Sequence, residues 1–220
     1  MKLVWSAETA CKAYIETVQS CGVYRESGVA ELVAAMAAGW NSQVIAETWS
    51  EGGAIETSMG LGIARMHTGG RHVCIVPDER SKSEYAERMG EAAMSPEILV
   101  GEAEELMEGL ALVAIDFMVV DSTRNNFSKL LSLAKLSNNG AVLICKNANA
   151  RNVPSPSGFK WRSVLHEGSR CLVRSVFLPV GDGLDIAHVS SVNSPLKSGG
   201  AKRWIKHVDP RSGEIHVIRR

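Results

Sequence analysis

The chain has 220 residues, which suits a single domain, and 45% of them are hydrophobic, so it can bury a substantial core. Its 24 basic and 24 acidic residues give a formal net charge of zero, which provides no general attraction to nucleic acid or to an anionic membrane. The chain contains no apolar run near the roughly 20 residues of a membrane span. The N-terminal stretch MKLVWSAETACKAY also lacks the apolar segment of a signal peptide.

The five cysteines are scattered along the chain and never form a C-x-x-C pair. This spacing argues against a zinc cluster and a disulfide framework, and it favours a reducing compartment. The six histidines do not have metal-ligand spacing either. We therefore expect a protein of the cytoplasm or nucleus that has neither a signal peptide nor a transmembrane segment.

Hydrophobic periodicity predicts two N-terminal helices and then strands that alternate with helices. Five such strands require a parallel, doubly wound sheet, because parallel neighbours are joined by crossover helices. The predicted elements are helices near 6–20 and 27–40, a strand over 43–49, a helix through 55–66, a strand over 72–77, a helix from a capping box at 81–84, a strand over 97–101, a helix over 103–112, a strand over 115–121, a helix through 127–134 and a strand over 141–146.

The C-terminal part of the chain has a different pattern. After a short helix near 161–166, strands over 171–180 and 184–192 follow each other with no helix between them, and Gly181-Asp182-Gly183 suits a hairpin turn. We therefore expect a mostly parallel sheet that ends in an antiparallel hairpin, within one domain over 1–193. The tail over 194–220 is basic, and we expect it to be solvated or loosely docked.

Ligands of open α/β sheets bind outside the carboxyl ends of the strands, so the residues that end each predicted strand are the candidates. The turn over 47–53 has glycines that would let a ligand approach the backbone, although an ordinary strand-to-helix turn is equally consistent. It lacks G-x-G-x-x-G, which disfavours a dinucleotide. Asp78 suits the hydroxyls of a ribose or, alternatively, the N-terminus of a helix. Asp121 ends a buried strand, and an acid at that place is unfavourable unless it has a partner. We therefore expect a functional role for Asp121, with local capping as the alternative.

Two segments resemble a known enzyme family. LPVGDG at 178–183 and IDFMVVDSTRNNF at 115–127 resemble the closing hairpin and the catalytic turn of caffeoyl-CoA and catechol-type O-methyltransferases, which are class I S-adenosylmethionine (SAM)-dependent enzymes. The resemblance extends from about 27 to 192. The stretches 31–53 and 70–78 are similar to an uncharacterised plant family, a domain of unknown function related to these methyltransferases.

This resemblance implies the class I methyltransferase plan, with its Rossmann-like sheet, and a SAM site at the strand ends. It assigns a place along the cofactor to each candidate residue. Glu47 would lie near the methionine end, Gly53 at the turn, Asp78 at the ribose hydroxyls, Gly101 and Ala103 beside the adenine, and Asp121 where methyl donor and acceptor meet.

The chain departs from the resembling enzymes at two positions. Those enzymes hold a divalent metal with an Asp at the position of Asp121 and an Asp-Asn pair after the fifth strand, whereas this chain has Lys146-Asn147. A lysine repels a divalent cation. Their general-base lysine corresponds to Arg124, which cannot take up a proton. The sequence therefore predicts no metal.

We expect a SAM-binding, methyltransferase-like protein that acts on an unknown small-molecule acceptor, with Asp121, Lys146 and Asn147 as candidate catalytic residues. Lys146 would stabilise an anionic acceptor oxygen. We also expect Lys146 to pair with Asp121 in the place of the ion, unless it points into solvent. A catalytically inactive binding or scaffolding protein is the main alternative, and NAD-linked oxidoreduction is a third.

Overall fold

The fold is described by a computed structural model that covers residues 5–21, 28–109, 114–124, 126–148, 159, 161–165, 172–190, 204–208 and 215–219. The helices are α1 (Ala7–Ser20), α2 (Val29–Gly39), α3 (Glu56–Thr68), α4 (Glu79–Glu91), α5 (Ala103–Glu108), α6 (Phe127–Leu133) and α7 (Trp161–Leu165). The strands are β1 (Val44–Thr48), β2 (Arg71–Val76), β3 (Glu97–Val100), β4 (Phe117–Asp121), β5 (Ala141–Lys146), β6 (Leu172–Leu178), β7 (Leu184–Val189), β8 (Trp204–Val208) and β9 (Ile215–Arg219).

Seven strands form one sheet in the order β3-β2-β1-β4-β5-β7-β6. Strands β1 to β5 are parallel, and β7 is antiparallel to both β5 and β6. The predicted α/β fold, with a mostly parallel sheet and a C-terminal antiparallel hairpin, is therefore confirmed. The strand order reverses between β1 and β4, and this is the place where such sheets bind ligands.

Both faces of the sheet are covered, which explains why the central strands have continuous apolar runs. Every residue of β5 is buried. One face packs on a cluster that includes side chains of α5, α6 and α7. Two further clusters, with side chains of α2, α3 and α4, cover the opposite face. Burial on both faces fixes the register, since a slip of one residue would exchange the sides on which side chains pack.

The structure corrects the predicted start of one helix and adds two strands that the sequence analysis did not predict. Helix α4 begins at Glu79, not within the capping box at 81–84, because the Asp78 carboxylate caps the helix by accepting from the Ser81 N–H at 2.7 Å. The basic tail contains β8 and β9, which form a separate antiparallel pair. The parts of the predicted elements that fall on 27, 110–112, 166, 171 and 191–192 lie outside the described residues. The division into 1–193 and 194–220 stays a prediction.

Among the described residues, helices with both the length and the hydropathy of a bilayer span are absent.

Helices α2 and α3 approach each other closely at Gly60. A Cβ atom at Gly60 would lie 2.6 Å from the carbonyl oxygen of Ala30, a backbone atom that cannot rotate away. Gly90 in α4 has open space instead, since no heavy atom lies within 4 Å of its hypothetical Cβ. An alanine at either position raises helix propensity, but only an alanine at Gly60 meets a neighbouring helix. Comparing the two variants therefore separates the effect of propensity on stability from the effect of packing.

We predict that Gly60→Ala and Gly90→Ala change stability in opposite directions. Gly60→Ala should destabilise the protein by about 1–3 kcal/mol, because the added methyl group forces the two helices apart. Gly90→Ala should stabilise it by about 0.5–1 kcal/mol through helix propensity alone. Urea unfolding monitored by circular dichroism measures both, and a stabilised Gly60→Ala variant would contradict the α2–α3 packing.

Candidate functional site

A small polar cavity lies at the carboxyl ends of β4 and β5, beside the N-terminus of α3. We call it the strand-end cavity. Its volume is about 50 Å³. The polar or charged side chains in its lining are those of Glu56, Thr57, Asp121, Lys146, Asn147 and Asp182. The structure therefore brings together the three residues that the sequence selected as catalytic candidates.

Asp121 is held by its neighbours at the end of β4. Its Oδ2 accepts from the side-chain amide of Asn147 at 2.8 Å. Its Oδ1 accepts from the backbone N–H of Thr123 at 2.9 Å and from the Thr123 hydroxyl at 2.7 Å. Asn147 itself has a left-handed backbone, with φ of 58°, which asparagine tolerates better than most residues do. Both oxygens of Asp121 are thus oriented by the chain.

Lys146 is 93% buried, since only 7% of its surface is exposed, and it stands beside Asp121 in the β4–β5 register. Within the described part of the chain, no carboxylate oxygen lies within the 4.0 Å salt-bridge distance of its Nζ. The predicted ion pair between Lys146 and Asp121 is therefore wrong. Asn147 and Thr123 take up the oxygens of Asp121 instead.

Glu47 lies beneath this edge of the sheet and does not line the cavity. Its carboxylate is buried and accepts from three side chains. The Ser58 hydroxyl donates at 2.9 Å, the His72 Nε2 lies at 2.9 Å, and the Tyr85 hydroxyl donates at 2.6 Å. These donors come from α3, β2 and α4. We call this group the Glu47 network.

The network keeps Glu47 ionised. Burial on its own would raise the pKa of Glu47, but the hydrogen bond and charge of His72, the hydroxyl of Tyr85 and the charge of Lys146 together lower it. Sequence reasoning missed this network. His72 lies in an apolar strand and Tyr85 in a polar helix, and nothing in the sequence around either residue indicates that both contact Glu47. The one available clue was that a buried acid needs partners.

The turn after β1 is filled by the chain itself. The Trp49 indole is buried and packs against Tyr85, with ring centroids 5.3 Å apart. A Cβ atom on Gly53 would lie 2.8 Å from the Ser50 carbonyl oxygen and 3.0 Å from the indole nitrogen. Gly53 is therefore required by close packing within the turn, and this packing explains the glycine without a ligand.

The other predicted cofactor residues lie at the ends of β2 and β3, outside the strand-end cavity. Asp78 is exposed, and the backbone N–H of Ser81 lowers the pKa of its carboxyl. The Ser81 side chain and the Arg80 backbone N–H also lower this pKa. Gly101 has φ of 142°, in the region that favours glycine, and its N–H donates to the Val76 carbonyl. Ala103 is buried at the start of α5.

We predict that Glu47→Gln removes an acid-dependent part of the stability. Because the folded-state pKa of Glu47 is lowered, its contribution is present above the usual value of 4.5 and is lost as the pH falls through the folded value. The variant should lose about 1–3 kcal/mol at pH 7, because buried donors of the network lose a charged acceptor.

The difference in unfolding free energy between wild type and Glu47→Gln should therefore shrink as the pH falls below 4.5. Urea unfolding at a series of pH values measures it, and Glu91→Gln on the exposed end of α4 is the control. A difference that does not change with pH would show that the carboxylate is not held in its ionised form.

Several solved structures that are similar to this chain are methyltransferases. The O-methyltransferase TomG from Streptomyces achromogenes, involved in tomaymycin synthesis and in complex with SAM, matches with a TM-score of 0.58 and 21% identity over 86% of this chain and 92% of that chain. The O-methyltransferase from Bacillus cereus, in complex with S-adenosylhomocysteine (SAH), matches with a TM-score of 0.59 and 16% identity over 81% and 91%. SAH-bound PaMTH1 from Podospora anserina matches with a TM-score of 0.56 and 14% identity over 85% and 89%.

These likenesses establish a methyltransferase-like fold. The search of curated proteins finds no significant match to this sequence. A family model described as "protein of unknown function (DUF1442)" matches residues 1–220, and the chain therefore belongs to the DUF1442 family.

Proposed function

We propose that this protein binds SAM at the carboxyl ends of its strands and is a metal-independent methyltransferase for a small-molecule acceptor. The observation that carries the proposal is the convergence of Asp121, Lys146 and Asn147 on one cavity next to the reversal of strand order. The SAM and SAH complexes among the structural relatives support this choice of cofactor. SAM supplies an activated methyl group, so the protein mainly has to align the acceptor.

The described residues fit the amino-acid end of SAM. Oε2 of Glu56 is buried and has no hydrogen-bond partner within the described residues, so it suits the α-ammonium group. Glu56 lines the same cavity as Asp121. The exposed carboxylate of Asp78 would accept from the ribose hydroxyls, and Gly101 and Ala103 would adjoin the adenine. Glu47 would support the cofactor site indirectly, because its hydrogen bonds hold β1 against β2, α3 and α4.

Lys146 would bind the acceptor. Lys146 is a largely buried residue, and no carboxylate of the described residues lies within salt-bridge distance of it, so its charge can stabilise an oxyanion that enters the cavity. Asp121 and Asn147 would orient the donor and the acceptor on either side of it. Arg124 stays protonated and cannot act as a base. The arrangement therefore favours an acceptor that is already ionised when it binds, or that loses its proton to solvent.

The residues at this site do not fit a divalent metal. Hard cations need several oxygen ligands in near-octahedral geometry. Here the Asp121 carboxylate is engaged by the Asn147 amide, and the next side chain in register is an ammonium group. Within the described residues, His, Cys, Asp and Glu side chains form no group of three or more that could hold a metal. We therefore propose no metal-assisted step.

A catalytically inactive binding or scaffolding protein is the second candidate, and the turn after β1 specifically favours it. Trp49 fills that turn, and the carboxylate of Glu47 is already satisfied by the chain. Such a protein would keep the fold without binding the cofactor. A plant source and a place in the cytoplasm or nucleus stay predictions of the sequence, and the zero net charge favours a small molecule over nucleic acid as partner.

We predict that SAM and SAH raise the melting temperature and that NAD does not, because a ligand that binds only the folded state stabilises it. Asp78→Ser is the informative variant. Serine caps a helix about as well as aspartate, so α4 should be retained while the carboxylate for the ribose is lost.

Calorimetry should show SAM binding about tenfold weaker in Asp78→Ser, with an unchanged melting temperature of the free protein. Unchanged affinity would refute the ribose role of Asp78. No heat of binding at millimolar SAM in the wild type would favour the scaffolding protein.

We also predict that Lys146→Asp creates a dependence on divalent cations. The substitution would restore a second carboxylate beside Asp121 and Asn147, which is the ligand type that magnesium prefers. Magnesium should raise the melting temperature of Lys146→Asp but not that of the wild type or of Lys146→Met, which removes the charge without adding a ligand. Stoichiometric metal bound to the wild type, measured after dialysis, would contradict this account of the site.

A further inference from the structure

Among the described residues that line the strand-end cavity, Lys146 alone carries a positive charge. It stands at the end of β5, and 7% of its surface is exposed. In the part of the chain that the structure describes, no carboxylate oxygen lies within 4.0 Å of its Nζ. The charge of this lysine is therefore available to a negatively charged group that enters the cavity.

The acidic side chains of the lining are poorly suited to remove a proton from an acceptor. Both oxygens of Asp121 already accept hydrogen bonds, from Asn147 and from Thr123. In the proposed function, the buried Oε2 of Glu56 accepts from the α-ammonium group of SAM. Asp182 is exposed in the turn between β6 and β7. A carboxylate is also a weak base for this purpose, because carboxylic acids lose their proton roughly six pH units below phenols.

Without an effective base among the described lining residues, the acceptor has to arrive with its reacting atom already free of a proton. At pH 7 a phenol is only about 0.1% ionised, and an alkyl amine is almost wholly protonated, so it has no lone pair with which to attack. A carboxylic acid is more than about 99% ionised at the same pH. Of these three groups, only the carboxylic acid is ready to react, and its charge is opposite to that of Lys146.

We propose that the methyl acceptor is a carboxylic acid and that the product is its methyl ester. This inference rests on the proposed function, because it requires SAM at the same strand ends. One oxygen of the acceptor would bind the ammonium group of Lys146, and the other would face the methyl group. Lys146 of β5 and Glu56 of α3 belong to different walls of the cavity, so the acceptor and the amino-acid end of SAM would lie against different elements.

The reaction needs no proton transfer. The facing oxygen of the acceptor forms a bond to the methyl carbon while the bond from that carbon to sulfur breaks, and the electron pair of the broken bond stays on sulfur. A carboxylate and a sulfonium cation thus become a neutral ester and neutral SAH. The ester has no negative charge for Lys146, so this lysine should bind the substrate more tightly than the product.

The first test measures binding by calorimetry to the full chain saturated with SAH, so that no reaction takes place. Benzoate, phenol and methyl benzoate share one ring and differ in charge, and acetate is the smallest probe with the reacting group. We expect acetate and benzoate to bind, and phenol and methyl benzoate to bind at least about tenfold more weakly than benzoate, since they lack a hydrogen bond between two charged groups.

Three variants test the role of Lys146 in this binding. Lys146→Met removes the charge, and Lys146→Arg keeps it. Lys12→Met removes an exposed lysine of α1 and is the control. Lys146→Met should weaken acetate and benzoate about 10- to 100-fold while its melting temperature and its affinity for SAH stay the same. Lys146→Arg should recover part of the loss, and Lys12→Met should change nothing.

The second test follows a radiolabelled methyl group from SAM. Base releases methanol from a methyl ester but not from a methyl ether or an N-methyl amine, so it identifies the bond that has formed. We expect base-labile label with acetate or benzoate, and no label on phenol or benzylamine.

The outcomes separate this proposal from the proposed function. If SAH binds but carboxylates do not, or if their affinity is the same in Lys146→Met, the proposal is overturned and the SAM site stands. Base-stable label on phenol or benzylamine, or no base-labile label with either acid, would also overturn it. A wild type that does not bind SAH would refute the proposed function itself, and this proposal with it.

Discussion

The ionised carboxylate of Glu47, buried under the sheet, is the constraint on which the rest of the site depends. A charge removed from water is tolerated only when hydrogen bonds and opposite charge replace its solvation. Ser58, His72 and Tyr85 provide those hydrogen bonds from three different elements. The positive charge of Lys146 contributes from the β5 side. One carboxylate thus holds β1, β2, α3 and α4 in a fixed arrangement below the strand ends.

This arrangement divides the edge of the sheet into two parts with different chemistry. Beside β1, Trp49 fills the turn, and the Glu47 carboxylate is satisfied by side chains of the protein itself. Beside β4 and β5, Asp121 and Asn147 are fixed but an ammonium group remains without an acidic partner within the described residues. The methyl acceptor is therefore expected on the β4–β5 side, and the β1 side mainly keeps the strands in place.

Periodicity and turn chemistry were sufficient to predict the sheet. The predicted strand over 141–146 coincides with β5 because its apolar run is bounded on both sides by polar or glycine residues. The hairpin of β6 and β7 followed from two strands with no helix between them. The start of a helix was less predictable, since Asp78 caps α4 three residues upstream of the serine motif at 81–84.

Contacts between side chains far apart in sequence could not be predicted in the same way. Glu47 and His72 are 25 residues apart, and Glu47 and Tyr85 are 38 apart, so no local pattern links them. Lys146 was expected to pair with Asp121 because it stands where the resembling enzymes have a metal-binding carboxylate. The prediction failed because Thr123 and Asn147, two and 26 residues from Asp121, compete for its oxygens. The β8–β9 pair was missed because the basic composition of the tail suggested solvation.

A crystal structure of the protein grown with SAH would test the central claim most directly. The account predicts that the amino-acid end of SAH lies in the strand-end cavity, with its α-ammonium within hydrogen-bond distance of Glu56 and its ribose hydroxyls at Asp78. The ammonium group of Lys146 should remain free to face an acceptor. SAH bound elsewhere on the chain, or absent from a cavity that is open in the crystal at millimolar SAH, would contradict the account.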